Sequence, residues 1–184
     1  MLVLSHFDEP EGITYDDLGI NENNLFKNVS KIKGNAKFCR STMTDLRNLR
    51  EIGGDANFSF SKFKTLGGLE KIGGDAHFEW AYGFEDLGNV EEIGGNVKFD
   101  MNKIKTFTNL KRIGGSIDFT MSGFEDLGSL EEIGGDFKWG YDLKSLGHLK
   151  TIGGNAQFNH AKLNSLGELK TIEGDGDFNF AQIG

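Results

Sequence analysis

Proline occurs once and cysteine once in 184 residues, and the chain has fewer basic than acidic side chains. A lone Cys39 excludes an internal disulfide framework and fits a reducing, cytoplasmic setting. No apolar run approaches the ~18 residues of a membrane helix. Met1 to Phe7 lacks the basic flank and the apolar length of a signal peptide. With 20 Lys and Arg against 28 Asp and Glu, the formal charge is -8. Direct nucleic-acid binding needs a basic footprint that this chain lacks. The charge fits solubility, a protein partner with a basic surface, or a nucleic-acid mimic.

Glycine is abundant, at 27 residues, and it is periodic. Ile-Gly-Gly begins at Ile52, Ile72, Ile93, Ile113, Ile133 and Ile152, with degenerate copies at Ile32 and Ile172. The spacings between these eight isoleucines are 20, 20, 21, 20, 20, 19 and 20. Self-similarity at a fixed period of this size predicts a solenoid in which each copy is one coil stacked on the next. Residues 1–28 stand outside the repeat and are expected to cap the first coil, leaving 29–184 as the solenoid. Within that cap, Leu2 to Leu4 reads as a short strand and Thr14 to Leu18 as a helical turn.

The unit runs A-x-F-x-x-S-x-L-x-x-L-G-x-L-x-x-I-G-G-D. Ala156-Gln157-Phe158 shows its strand, two inward residues flanking an outward one at the period of 2. The inward columns are Ala36, Ala56, Ala76, Val97, Ile117, Phe137, Ala156 and Gly176, then Phe38, Phe58, Phe78, Phe99, Phe119, Trp139, Phe158 and Phe178. Leu163, Leu166, Leu169 and Ile172 follow three apart, a spacing that suits an extended or 3₁₀-like return leg. The second glycine of each pair is invariant across copies, which predicts a positive φ or close backbone approach there and not at the first.

The fold class expected is all-β: a right-handed parallel β-solenoid of about eight coils without convex helices. Ala156-x-Phe158-x-x-Ala161-x-Leu163-x-x-Leu166 matches the LxVxxNxLxxL spacing of leucine-rich repeats, and the short return leg resembles compact bacterial and phage-type members. The family's Asn position is kept only at Asn102; Ser41, Ser61, Ala81, Ser122, Ala161 and Ala181 replace it elsewhere. Ala56-Asn57-Phe58-Ser59 also resembles pentapeptide repeats, but Leu66, Leu69 and Ile72 break the five-residue phase.

Stacked coils set equivalent residues about 4.8 Å apart. One column runs Lys64, Glu85/Asp86, Lys105, Glu125/Asp126, Lys144; another runs Glu91/Glu92, Lys111/Arg112, Glu131/Glu132, Lys150. Their alternating signs help fix register. Asp55, Asp75, Asp136 and Asp175, with Asn35, Asn96 and Asn155, follow the glycines and are expected to cap turn amides, since nothing completes a calcium cage.

The candidate binding column lies just after the strand: Phe60, Trp80, Met101, Met121, Tyr141, His160 and Phe180, with Arg40 at its start. Beside it, His77, Glu79, Asp100 and Asp118 point outward, the three acids forming a one-signed patch. Leucine-rich repeats commonly bind through this concave sheet, and aromatics with Met are enriched at interface centres. The competing role for the rings is to cover one another as a structural ladder. Catalysis has little to work with: the histidines are scattered, and only Glu79 with Asp100 offers an acid/base pair, as in carbohydrate-active β-helix enzymes. No cofactor or metal is implied.

The function expected is therefore a non-enzymatic protein-binding module. A phage-type inhibitor of a nucleic-acid-processing enzyme, such as an anti-CRISPR or other anti-defence mimic, is the alternative. The last coil ends without a polar capping segment, and three readings stand: a truncated chain, a degenerate last coil whose Glu173 and Gly176 suffice as a cap, or two molecules meeting end to end as a homodimer, the last slightly favoured.

Overall fold

The computed structural model of the protein describes residues 2–4, 7–8, 27–100, 103–138 and 143–184. The expected helical turn at Thr14 to Leu18, the Asn at 102 and the inward Trp139 lie outside these. Two nine-stranded parallel sheets wind into a β-solenoid of about seven turns, close to the eight expected, and no helix forms among the described residues. One sheet collects the two residues ending at each isoleucine, such as Glu51–Ile52, Lys71–Ile72 and Glu92–Ile93. The other collects the strands leading to each phenylalanine: Ala56–Asn57, Ala76–Glu79, Val97–Asp100, Ile117–Met121 and their equivalents. Leu2–Leu4 and Phe7–Asp8 add one parallel strand to each sheet.

The core follows the expected columns. Phe38, Phe58, Phe78, Phe99 and Phe119 are buried and stack coil on coil, with ring centroids 5.2, 5.3, 5.0 and 5.8 Å apart. Leu66, Leu69 and Ile72 and their equivalents fill the opposite wall of the core. A buried column of this kind exists only if coils stack in register, so the periodic phenylalanines specify pairing as well as burial.

The return leg is not 3₁₀. It is extended and carries one tight turn, with Leu69 N–H donating to Leu66 C=O at 3.2 Å and the same bond in other coils. The first central residue of that turn has positive φ: Arg47, Gly67, Gly88, Gly128, Gly147 and Gly167, at 52° to 62°. This is the backbone sign of a type II′ turn, which glycine enters most easily. Ahead of it, Thr65, Asp86, Asp126, Ser145 and Ser165 accept a hydrogen bond from the amide two residues on. Asp86 and Asp126 thus serve the turn and are not simple members of a charge column.

The Gly-Gly pairs differ from expectation too. Positive φ belongs to the Leu-Gly glycine, and both Gly-Gly positions are needed for close approach. A Cβ on Gly73 would sit 2.2 Å from the Gly53 carbonyl oxygen, and one on Gly74 would sit 2.8 Å from the Asp55 amide nitrogen. The Asx residues after them do cap amides, but on the neighbouring coil. Asn35 accepts from Asp55 N–H, Asp55 from Asp75, Asp75 from Asn96, and Asn96 from Ser116 at 2.6–2.9 Å. Ser116, Asp136 and Asn155 continue the ladder to Asp175.

Candidate functional site

The phenylalanine sheet turns outward at its end, and that turn makes the site. Ser61 N–H donates to Phe58 C=O at 3.2 Å and Ala81 N–H to Phe78 C=O at 3.4 Å, closing four-residue turns. Phe60 and Trp80 occupy the third position of these turns, at φ 60° and 58°; Arg40, His160 and Phe180 do the same at 64°, 64° and 58°. Positive φ there marks a type II turn, whose third position ordinarily takes glycine or asparagine. For bulky side chains this region costs roughly 1–2 kcal/mol. In return, Phe60 N–H reaches Glu79 C=O at 3.0 Å and Trp80 N–H reaches Asp100 C=O at 2.9 Å, extending the inter-coil ladder through the turn.

The rings are thrown onto the surface. Phe60, Trp80 and Phe180 are 52%, 39% and 81% exposed. They also pair: Phe60 stacks on Trp80 at 6.2 Å with 2° between planes, and His160 on Phe180 at 5.0 Å. Tyr82, half exposed, meets Trp80 edge-on at 6.2 Å. Mutual cover and exposure therefore coexist. Tyr82 was not among the expected residues, although a signal existed: its column otherwise reads Thr42, Lys62, Lys103, Gly123, Asp142, Lys162 and Gln182. Met101 and Tyr141 lie outside the described residues. Met121 departs from the pattern, because the register slips by one between Lys98 and Asp100 and Met121 extends the strand opposite Asp100.

Outward strand residues flank the aromatic pair. A cleft of about 380 Å³ is bounded by Cys39, Asn57, Ser59, Phe60, His77, Glu79, Trp80, Lys98 and Asp100. Glu79 and Asp100 are partners on adjacent parallel strands. Glu79 takes a hydrogen bond from Ser59 Oγ at 2.9 Å, has Lys98 Nζ at 3.3 Å and lies 3.6 Å from His77 Nδ1. Burial pushes its carboxyl up. The Ser59 hydroxyl, its own backbone amide, His77 and Lys98 together outweigh that and hold it below the usual carboxylate range. Asp100 Oδ1 is buried and has no hydrogen-bond partner among the described residues.

The acids do not form a one-signed patch. Asp118 stands in register between Lys98 and Lys138, and Lys98 also reaches Glu79. Strand pairing interleaves the signs, because each coil contributes its own residue to the row. A second hollow of about 300 Å³ over His77, Lys98, Asp118 and Lys138 is mixed for the same reason.

No family model, curated protein or solved structure matches the chain. Among the described residues no group of three or more His, Cys, Asp or Glu is placed to hold a metal ion, and no helix is long and apolar enough to cross a membrane.

Proposed function

We propose that the chain is a leucine-rich-repeat-like, cytoplasmic protein-recognition module that engages its partner through the turn edge of the phenylalanine sheet. The observation that carries this is the pairing of exposure with strain. Phe60 and Trp80 sit at turn positions where asparagine or glycine would serve the backbone better, yet they display large rings to solvent. Strain retained at an exposed position argues for a use beyond folding. Rigid aromatic rings at the centre of a patch are the side chains that most often anchor interfaces. His77, Glu79 and Asp100 supply polar groups beside them, and His160 with Phe180 supplies a second ring pair farther along the column.

A nucleic-acid-mimic inhibitor is supported by the charge of -8 but not by the interleaved lysines, since a mimic needs rows of like charge. A carbohydrate-active enzyme would need one carboxyl as general acid and one ionised carboxylate as base or nucleophile, and Glu79, held below the usual carboxylate range, fits only the second role. Self-association is a separate proposal. Phe180 and the 47%-exposed Ile183 lie on the last coil, and light scattering that finds a monomer at tens of micromolar protein would exclude it.

The test is capture of partner from a lysate of the native host, with bound proteins identified by mass spectrometry. The wild-type chain should retain a specific protein that the Phe60→Asn/Trp80→Asn variant loses while its far-UV spectrum is unchanged. A partner retained equally by the variant places recognition elsewhere.

A further inference from the structure

We propose that Asp175 is a site of self-modification, at which its side chain closes on the Gly176 amide to a succinimide that opens to isoaspartate. This goes beyond the recognition role of the sheet edge and does not rest on it.

Asp175-Gly176 is the one Asp-Gly or Asn-Gly pair in the sequence. Glycine carries no Cβ to bar the approach of a neighbouring carboxyl, and its backbone turns freely. The Asx ladder shows how stacking protects the other copies. Asp55 Oδ1 accepts the Asp75 N–H at 2.9 Å, and the Ala56 N–H that follows donates to the Asp75 C=O at 2.8 Å. Carboxylate and adjoining amide of one coil thus both point at a single residue of the next, and both are held there. Asn96 holds Asp75 with Ala76 in the same way, and Asn155 holds Asp136 with Phe137. Asp175 is held on one side only: its N–H donates to Asn155 Oδ1 and its C=O accepts the Ala156 N–H, both at 2.8 Å. Gly176–Asp177 is the edge strand of its sheet. By the equivalence of the coils, the Asp175 carboxylate and the Gly176 N–H face the same open side. Both residues are exposed, and neither group has a hydrogen-bond partner among the described residues.

The chemistry exchanges only water. The Gly176 nitrogen, giving its proton to solvent, attacks Asp175 Cγ; the N–Cγ bond forms as a Cγ–O bond breaks, and one water leaves. Water then adds to the ring. Breaking the bond from nitrogen to Cγ restores aspartate. Breaking the bond from nitrogen to the α-carbonyl carbon leaves the chain running through Cγ, with a free α-carboxylate. That link adds one backbone atom just ahead of the edge strand. Asp177 and Phe178 then lose their register on Gln157 and Phe158, and the 5.0 Å stacking of Phe178 on Phe158 loosens. The freed α-carboxylate is the group that a carboxyl methyltransferase specific for isoaspartate esterifies.

The experiment ages the folded full chain in warm neutral buffer beside a blocked peptide spanning Ile172 to Phe178, until the peptide has converted. Isoaspartate is counted by enzymatic carboxyl methylation with a labelled methyl donor and located by peptide mapping. Label is expected at Asp175 and not at Asp55, Asp75 or Asp136. Gly176→Ala restores the residue type of Ala156 and should cut the label about tenfold, because a Cβ then hinders ring closure. That Cβ meets the edge of the Phe178 ring at 2.9 Å, a side chain that can move aside, and the far-UV spectrum checks that the fold is kept. Asp175→Glu, whose side chain would have to close a larger ring, should abolish the label. A native chain that stays unlabelled while the peptide converts overturns the proposal. Equal label at Asp55 overturns the protection by stacking on which it stands, and unchanged label in Gly176→Ala or Asp175→Glu overturns the ring closure.

Discussion

At the scale of single residues, two kinds of glycine do two jobs. Gly67 is required by its backbone angle, since its φ is +59° and a Cβ there would meet nothing closer than 3.9 Å. Gly73 is required by space, because its Cβ would collide with the Gly53 carbonyl of the coil beneath. Gly67→Ala should thus cost about 1–2 kcal/mol of turn strain. Gly73→Ala should cost more, about 3 kcal/mol, because two stacked backbones must separate. Urea denaturation of the two variants checks the order, and equal losses would contradict it. Counting copies in the sequence marked Gly74 and its equivalents as special but hid why. Repetition shows that a position is constrained; only the stacked backbone shows whether φ or contact is the constraint. Phe60 and Trp80 were legible as a column, while their left-handed backbone was not, because aromatic residues give no signal of positive φ.

At the scale of the coil, polar ladders hold the register that the phenylalanine stack defines. Asp75 Oδ1 accepts the Asn96 amide at 2.6 Å. Asp75→Ala should orphan that amide and cost about 1–2 kcal/mol, whereas Asp75→Asn keeps an acceptor and should stay within about 0.5 kcal/mol. Thermal unfolding of the two variants decides whether acceptor or charge matters. The isoleucine sheet adds an alternating row, Lys31, Glu51, Lys71, Glu92, Arg112 and Glu132, in strand register. Glu92→Lys would set three cations side by side and should lower stability by about 0.5–1 kcal/mol at low salt, with much of the loss recovered at high salt. Glu125 bridges Lys144 at 2.8 Å and Lys105 at 3.2 Å, and hydrogen bonds and charge from the two lysines, Lys144 foremost, hold its carboxyl below the usual range. A depressed native pKa means that its contribution is present above the ordinary value of about 4.3 and is lost as pH falls through the native one. The acid side of the stability profile should therefore flatten in Glu125→Gln. Alternation of sign was readable from the 40-residue pattern; the diversion of Asp86 and Asp126 into turns was not, because an Asx turn and an ion pair ask for the same residue.

At the scale of the molecule, the solenoid is a scaffold that repeats one turn and varies what the turn displays. The period, the inward columns and the parallel sheets followed from spacing alone, since a 20-residue repeat with periodic apolar residues leaves few ways to stack. The site was only half readable. Its aromatics appear in the sequence, but the one-signed acidic patch dissolved once strand pairing set Asp118 between Lys98 and Lys138. The central claim is that Phe60 and Trp80 are kept for contact and not for folding. The unfolding free energy of Phe60→Asn/Trp80→Asn tests it most directly, because asparagine relieves the left-handed strain while removing the stacked pair. A surface role predicts stability equal to wild type within about 1 kcal/mol, or higher, as strain relief of 1–2 kcal/mol per site offsets the lost ring contact. A loss of about 3 kcal/mol or more would show that the rings hold the coils together, and would contradict the claim.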